Sequence, residues 1–302
     1  MSLTVFMAVI GAAVLHAAWN TLLKGGQDKV LSMGAIVLGQ VPLGLITLMV
    51  IPMPDPQSLP YLLVGIFLHA GYQLFLLKSY QTGDLTQVYP IARGSAPLLV
   101  TLFSITVLGV QLDSLQLFGV LIIGLSIISL AMVRRSDGQR NAKAVKLALT
   151  TGLFIASYSI VDGLGARIAG TSWGFYSCLM IGNGIVAAVY LGLTAPKTFG
   201  SIARSGRTVF ILGGGASFIA YGIVTWAFTR APIALVTALR ETSIVFALLM
   251  GIFFLKERLN LIKLSATFFT LFGACVWGGT SRKIPCYSYN VNVLDGFYMM
   301  GI

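Results

Sequence analysis

Charge is what this sequence is shortest of. Nine Asp and Glu stand in 302 residues, and the four charged types together make only 10%, where a soluble domain carries roughly 25%. With 57% hydrophobic residues and a mean hydropathy of +0.89, the composition excludes a soluble globular protein and implies an integral membrane one. Cysteine is scarce too. Cys178, Cys275 and Cys286 form no CxxC pair, so neither a disulfide framework nor a zinc site is implied. Only two histidines occur, with no HExxH and no paired-aspartate metal motif within a span, which argues against a membrane-embedded enzyme. The 34 glycines, "LGGGAS" at 212–217 included, lack the Lys-Ser/Thr ending and the strand-to-helix context of a P-loop, so ATP-driven transport in this chain is excluded and no cofactor is expected.

What the sequence has is long apolar runs with basic ends. The net charge is +11, but a nucleic-acid binder gathers its Lys and Arg on one solvated face. Here they punctuate the runs, so the expected partner is the lipid bilayer and not nucleic acid. Ten runs have membrane-spanning length, at about 17 to 25 residues each: 3–23, 31–51, 60–80, 86–108, 115–133, 146–166, 172–194, 208–229, 233–255 and 261–280. The first run lacks a basic start and is taken as a retained span, not a signal peptide. Fourteen of the twenty Lys and Arg fall on one side of the ten spans, among them Arg134, Arg135, Arg140, Lys143 and Lys146, against four on the other. The richer side is expected to be cytoplasmic, with both termini outside.

The chain repeats itself. At an offset of 147, Thr82 falls on Thr229, Arg93 on Arg240, Leu102 on Leu249, Ile105 on Ile252, Leu108 on Leu255 and Leu112 on Leu259. Two copies of an odd number of helices enter the membrane from opposite faces. The expected fold is therefore an all-α membrane protein, ten transmembrane helices in two inverted-topology five-helix repeats. Its expected organisation is a first repeat at 1–133, a basic cytoplasmic linker at 134–145, a second repeat at 146–280 and a disordered tail at 281–302, which holds no apolar run.

"HAAWN" at 16–20, "YPIARGSAPLL" at 89–99 and "GIFFLKERL" at 251–259, set in ten such spans, resemble the EamA family of the drug/metabolite transporter superfamily over residues 1 to about 280. The most family-like motif is the acidic residue after the fourth helix of a repeat, here Glu257; the first repeat has Val110, Gln111 and Leu112 instead. The resemblance implies a secondary transporter of a small organic metabolite or drug in the plasma (inner) membrane, not an enzyme, working by alternating access and either proton-coupled or an exchanger. A passive channel or facilitator is the alternative, and an enzyme acting on lipid-linked substrates is a more distant one. Nothing in the sequence chooses between monomer and homodimer.

The candidate site is made of the polar residues inside the spans. An arginine at mid-membrane costs about 2.5 to 3.5 kcal/mol on insertion scales. Arg93 and Arg240 stand 7 residues into their spans, roughly 10 Å deep at about 1.5 Å per residue. Both structural pairing and binding of an anionic or zwitterionic substrate are open for them, and both roles require them to face the bundle interior. Tyr89 precedes Arg93 by one turn, and Thr237 and Ser243 flank Arg240 on its helix face. Further substrate-binding candidates lie in polar stripes: His16, Trp19 and Asn20; His69, Tyr72 and Gln73; Tyr158; and Trp226, with Tyr221 and Thr225 on the same span. For each stripe, plain packing is the competing role. Asp162 and Glu241 are the carboxylates well within spans. Burial disfavours a carboxylate's charged form, which makes them the proton-coupling candidates, with an ion pair to an arginine as the other possibility. A hydrogen bond from Tyr158 to Asp162, one turn away, is expected.

Overall fold

In the computed structural model, residues 1–25, 28–82, 85–109 and 142–255 are described, with a few positions between 114 and 125. Helices α1 (Leu3–Gly25), α2 (Lys29–Val50), α3 (Leu59–Thr82) and α4 (Leu85–Thr106) form the first half. The second contains α5 (Ala142–Ile168), α6 (Ser172–Thr194), a short α7 (Lys197–Arg204), a π-helical turn at Val209–Gly213 leading into α8 (Gly214–Phe228), then α9 (Ile233–Arg240) and α10 (Ser243–Leu255). No strand occurs among the described residues.

Local chemistry sets the ends. The Asp28 carboxylate accepts from the backbone N–H groups of Val30 and Leu31 at the start of α2, and Thr171 Oγ1 accepts from Gly174 N–H to open α6. Between α5 and α6 the chain turns through Gly170 at φ +68°, a left-handed conformation that glycine adopts without steric cost. Arg167, near the end of α5, donates to the carbonyls of Phe228 at 2.8 Å and Ala231 at 3.0 Å, satisfying orphan acceptors at the end of α8.

Six helical stretches among the described residues are long and apolar enough to cross a membrane: 3–23, 29–50, 56–79, 142–168, 172–194 and 209–228; a shorter apolar helix runs from Ile91 to Thr106. The distribution of side chains agrees with a lipid surround. Met49 and Leu193 are 84% and 82% exposed, while Asp162 and Glu241 are fully buried, the reverse of a water-soluble surface. The expected span at 261–280, the tail at 281–302 and most of the expected span at 115–133 lie outside the described residues, as does Glu257.

The expected helix at 233–255 is not continuous. The backbone breaks after Arg240, where Glu241 N–H bonds the Ala238 carbonyl and Thr242 N–H that of Leu239, each one residue short of the α-helical step. The cause is local: Thr242 Oγ1 donates to the same Leu239 carbonyl at 2.7 Å, competing with the helical ladder. Helix α4, at the matching repeat position, runs through Arg93 without interruption.

Across the halves, α5 packs against α3 and α4, α1 packs against α8, α9 and α10, α2 packs against α6, and α4 packs against α9. A close backbone-to-backbone crossing lies where α2 meets the π-helical turn and α8. A Cβ added at Gly39 would collide with the Phe210 carbonyl oxygen, and one at Gly214 would come within 2.8 Å of Gly39 backbone. Backbone cannot swing aside as a side chain can, so Gly39→Ala is expected to destabilise by about 1 to 3 kcal/mol through overpacking. Gly11→Ala, where a Cβ meets nothing within 4 Å, is the control and should gain about 0.5 to 1 kcal/mol of helix preference. Thermal unfolding of the purified variants in one detergent decides; equal behaviour of the two would contradict the close crossing.

Candidate functional site

The site is built around a carboxylate that four helices enclose. Asp162, on α5, is fully buried. Its Oδ2 lies 2.8 Å from His69 Nε2 of α3 and accepts from the Tyr221 hydroxyl of α8 at 2.7 Å. Its Oδ1 has no hydrogen-bond partner among the described residues and sits over Gly65 of α3, where a Cβ would come within 2.9 Å of it. The expected bond from Tyr158 is therefore corrected: that ring instead stacks on His69, centroids 4.1 Å apart and planes 24° from parallel. The reason is rotation along α5. A side chain one turn before Asp162 projects across the neighbouring helix, and His69 on α3 is what it meets. Tyr72 packs edge-on against Tyr158 at 5.5 Å.

Tyr221 joins this carboxylate to the second arginine. Its hydroxyl donates to Asp162 while the Arg240 guanidinium carbon lies 5.7 Å from its ring centroid, within cation–π range. Arg240 is 1% exposed, and its Nε and Nη2 have no hydrogen-bond partner among the described residues. Arg93 is differently placed. Its Nε lies 3.1 Å from Glu241 Oε2 and its Nη2 donates to Ser243 Oγ at 3.1 Å. Neither Glu241 oxygen has a hydrogen bond of good angle, so that pair is held by charge proximity more than by alignment. Ser243, expected on the face of Arg240, thus serves Arg93 instead, because the break after Arg240 turns the following residues toward α4. The Thr237 hydroxyl, buried, has no partner among the described residues.

The other candidates divide. On α1, Trp19 Nε1 donates to His16 Nδ1 at 3.2 Å, and Asn20 Nδ2 donates to the His16 carbonyl at 2.7 Å. The positive charges of Arg93 and Arg240 both act on the His16 ring. Thr225 returns its hydroxyl to the Tyr221 carbonyl, and Trp226 packs partly buried against the main apolar core. Gln73 departs from the stripe it was placed in. It lines an apolar crevice between α2, α3 and α6 with Met33, Val37 and Tyr190, while His69 faces α5. Tyr89 lies on α4 with its side chain outside the described residues. Tyr221 is the residue whose importance sequence reading understates; its only signal there is its spacing with Thr225. No group of three or more metal-ligating side chains occurs among the described residues.

Chemically the arrangement holds four formal charges in a low-dielectric interior, two arginines and two carboxylates, plus one imidazole in contact with a carboxylate. A guanidinium with unbonded N–H groups can accept an anion.

A search among curated proteins finds no match. Among solved structures, a crystal structure of a protein matches 91% of this chain and 98% of its own, with a TM-score of 0.71 at 16% identity, a likeness of fold alone. The EamA-like transporter family model matches residues 3–132. Those residues carry His16, His69 and Arg93, and over them this multi-pass membrane protein is similar to the EamA-like transporter family.

Proposed function

We propose that the chain is a secondary active transporter of a small organic solute, alternating access between two halves and coupled to protons through the His69–Asp162 pair. The observation that carries the reading is that pair, buried where α3 of the first half meets α5 and α8 of the second. A proton taken up there sits on the contact between the halves, so its arrival changes how they attract one another. The helix partners also support two repeats of inverted topology. Exchanging the halves turns the α3–α5 contact into α1–α8 and α4–α5 into α1 with α9 and α10, and returns α2–α6 to itself. In this reading both arginines, His16, Trp19, Asn20, Tyr72 and Tyr158 border the solute path, and ten spans lie in the plasma membrane with the basic linker at 134–145 cytoplasmic. The break at Glu241 fits this picture, since discontinuous helices form the substrate sites of many secondary transporters.

The test is uptake into proteoliposomes holding the purified protein, with a pH gradient imposed and labelled amino acids, nucleosides, organic anions and amphipathic cations offered in turn. Accumulation of a solute above its external concentration, abolished by collapsing the gradient, is the expected outcome. A solute that only equilibrates, indifferent to the gradient, would make the protein a facilitator and remove the coupling.

A further inference from the structure

Resting on that carrier reading, we infer that the solute is a small monoanion, held by Arg240 and bound together with one proton. The inference comes from counting buried charge. Arg93 and Glu241 stand 3.1 Å apart and cancel. Asp162 and Arg240 also cancel in sum, but they do not touch; the phenol of Tyr221 stands between them, bonded to one and facing the other. With His69 neutral the cluster is therefore neutral, counted over the described residues. One added proton on the His69–Asp162 pair makes it +1, an excess that a buried site tolerates poorly, and one anion at Arg240 restores balance.

The other groups around Asp162 do not upset the count. His69 and Gly65 face it from α3, Tyr158 from its own helix, Tyr221 from α8, and Tyr176 of α6 acts on it electrostatically. The phenols are uncharged over the physiological range. Arg240, Arg93 and Glu241 complete the charges acting on Tyr158 beside it.

Arg240, and not Arg93, is assigned to the anion because its Nε and Nη2 lack a hydrogen-bond partner among the described residues. Arg93 already holds a carboxylate and a serine hydroxyl. Arg240 keeps Nε and Nη2 unbonded at 1% exposure, and such groups cost stability until something accepts from them. Half-buried His16 of α1 and Tyr221 of α8 lie nearby. Proton and anion each raise the affinity for the other by the same factor, and because one proton accompanies one monoanion, the loaded carrier moves no net charge. A cationic solute would give the opposite linkage, competing with the proton.

The experiment measures the shift in thermal unfolding of purified protein against concentration of L-lactate, methanesulfonate or tetramethylammonium, from about pH 6 to about pH 9. None of these probes changes its own charge in that range, and binding to the folded state raises apparent stability. The expected result is that lactate or methanesulfonate binds, with apparent affinity weakening by about tenfold per pH unit above the range in which the pair releases its proton. R240Q should lose the binding at every pH. R240K, which keeps the charge should R240Q not fold, should bind at least about tenfold more weakly with the same pH slope. D162N should bind with no pH slope. Absence of anion binding at all pH values, equal affinity across the range, unchanged affinity in R240K, or tetramethylammonium binding that strengthens with pH each overturns the inference. The carrier reading fails separately. Linked anion and proton binding without gradient-driven uptake would remove transport and leave this site, whereas gradient-driven uptake of a cation without anion binding would do the reverse.

Discussion

Asp162→Asn is expected to abolish concentrative transport while leaving counterflow exchange measurable. Asn has the same shape, and its amide oxygen can still accept from the Tyr221 hydroxyl and from His69 Nε2, the two partners of Oδ2. Packing over Gly65 is kept. What is lost is the carboxylate in contact with the imidazole, so the pair can no longer cycle a proton between charged states. A carrier moving one proton per monoanion can sustain about a tenfold concentration ratio per unit of pH gradient, since one pH unit is about 1.4 kcal/mol; the variant should sustain none. Counterflow needs only that the loaded halves reorient. Full accumulation by Asp162→Asn under an imposed gradient would remove Asp162 from the mechanism.

Glu241→Gln should behave in the opposite way, with a modest effect on coupling and a large one on stability. Arg93 is 3% exposed and Glu241 fully buried, so removing the carboxylate's charge leaves the buried guanidinium facing a neutral amide, beside the Ser243 hydroxyl that accepts from it. Breaking one side of a buried ion pair costs about 3 to 5 kcal/mol. Replacing both partners, as Arg93→Met with Glu241→Leu, should recover most of that loss, because apolar groups of similar volume leave no orphaned charge. Thermal unfolding in detergent of the two single variants and the double tests this. A Glu241→Gln protein as stable as wild type would show that the 3.1 Å pair contributes nothing.

Much of this was legible in the sequence. Membrane character follows from composition, and the buried position of Arg93, Arg240, Asp162 and Glu241 follows from their cost in lipid. Partnership was less legible. His69 and Asp162 are 93 residues apart, and no periodicity on either helix says that they meet; spacing pointed to Tyr158 because a one-turn neighbour is the contact local rules can supply. Gln73 was grouped with His69 on the same grounds, yet the packing of α3 between α5 and α6 turns the two toward different neighbours. The break in 233–255 was hidden because hydropathy registers side chains and not backbone. Its one trace is the run Glu241, Thr242, Ser243, short polar residues able to take carbonyls away from the helical ladder.

That break also explains why the two arginines are treated so differently. Arg240 is the last residue of α9, and Glu241, its C-cap, stands two residues before the first residue of α10. A helix carries a macrodipole equivalent to roughly half a unit of negative charge at its C-terminal end and half a unit of positive charge at its N-terminal end. Arg240 therefore ends α9 at its negative pole, where peptide dipoles partly compensate a positive charge, while Glu241 lies between that pole and the positive start of α10. Arg93 lies in the middle of an unbroken α4, where neighbouring peptide dipoles cancel and no pole exists. It needs a whole carboxylate, and Glu241 reaches across to it. Arg240, already half compensated by backbone, can wait with its N–H groups unbonded.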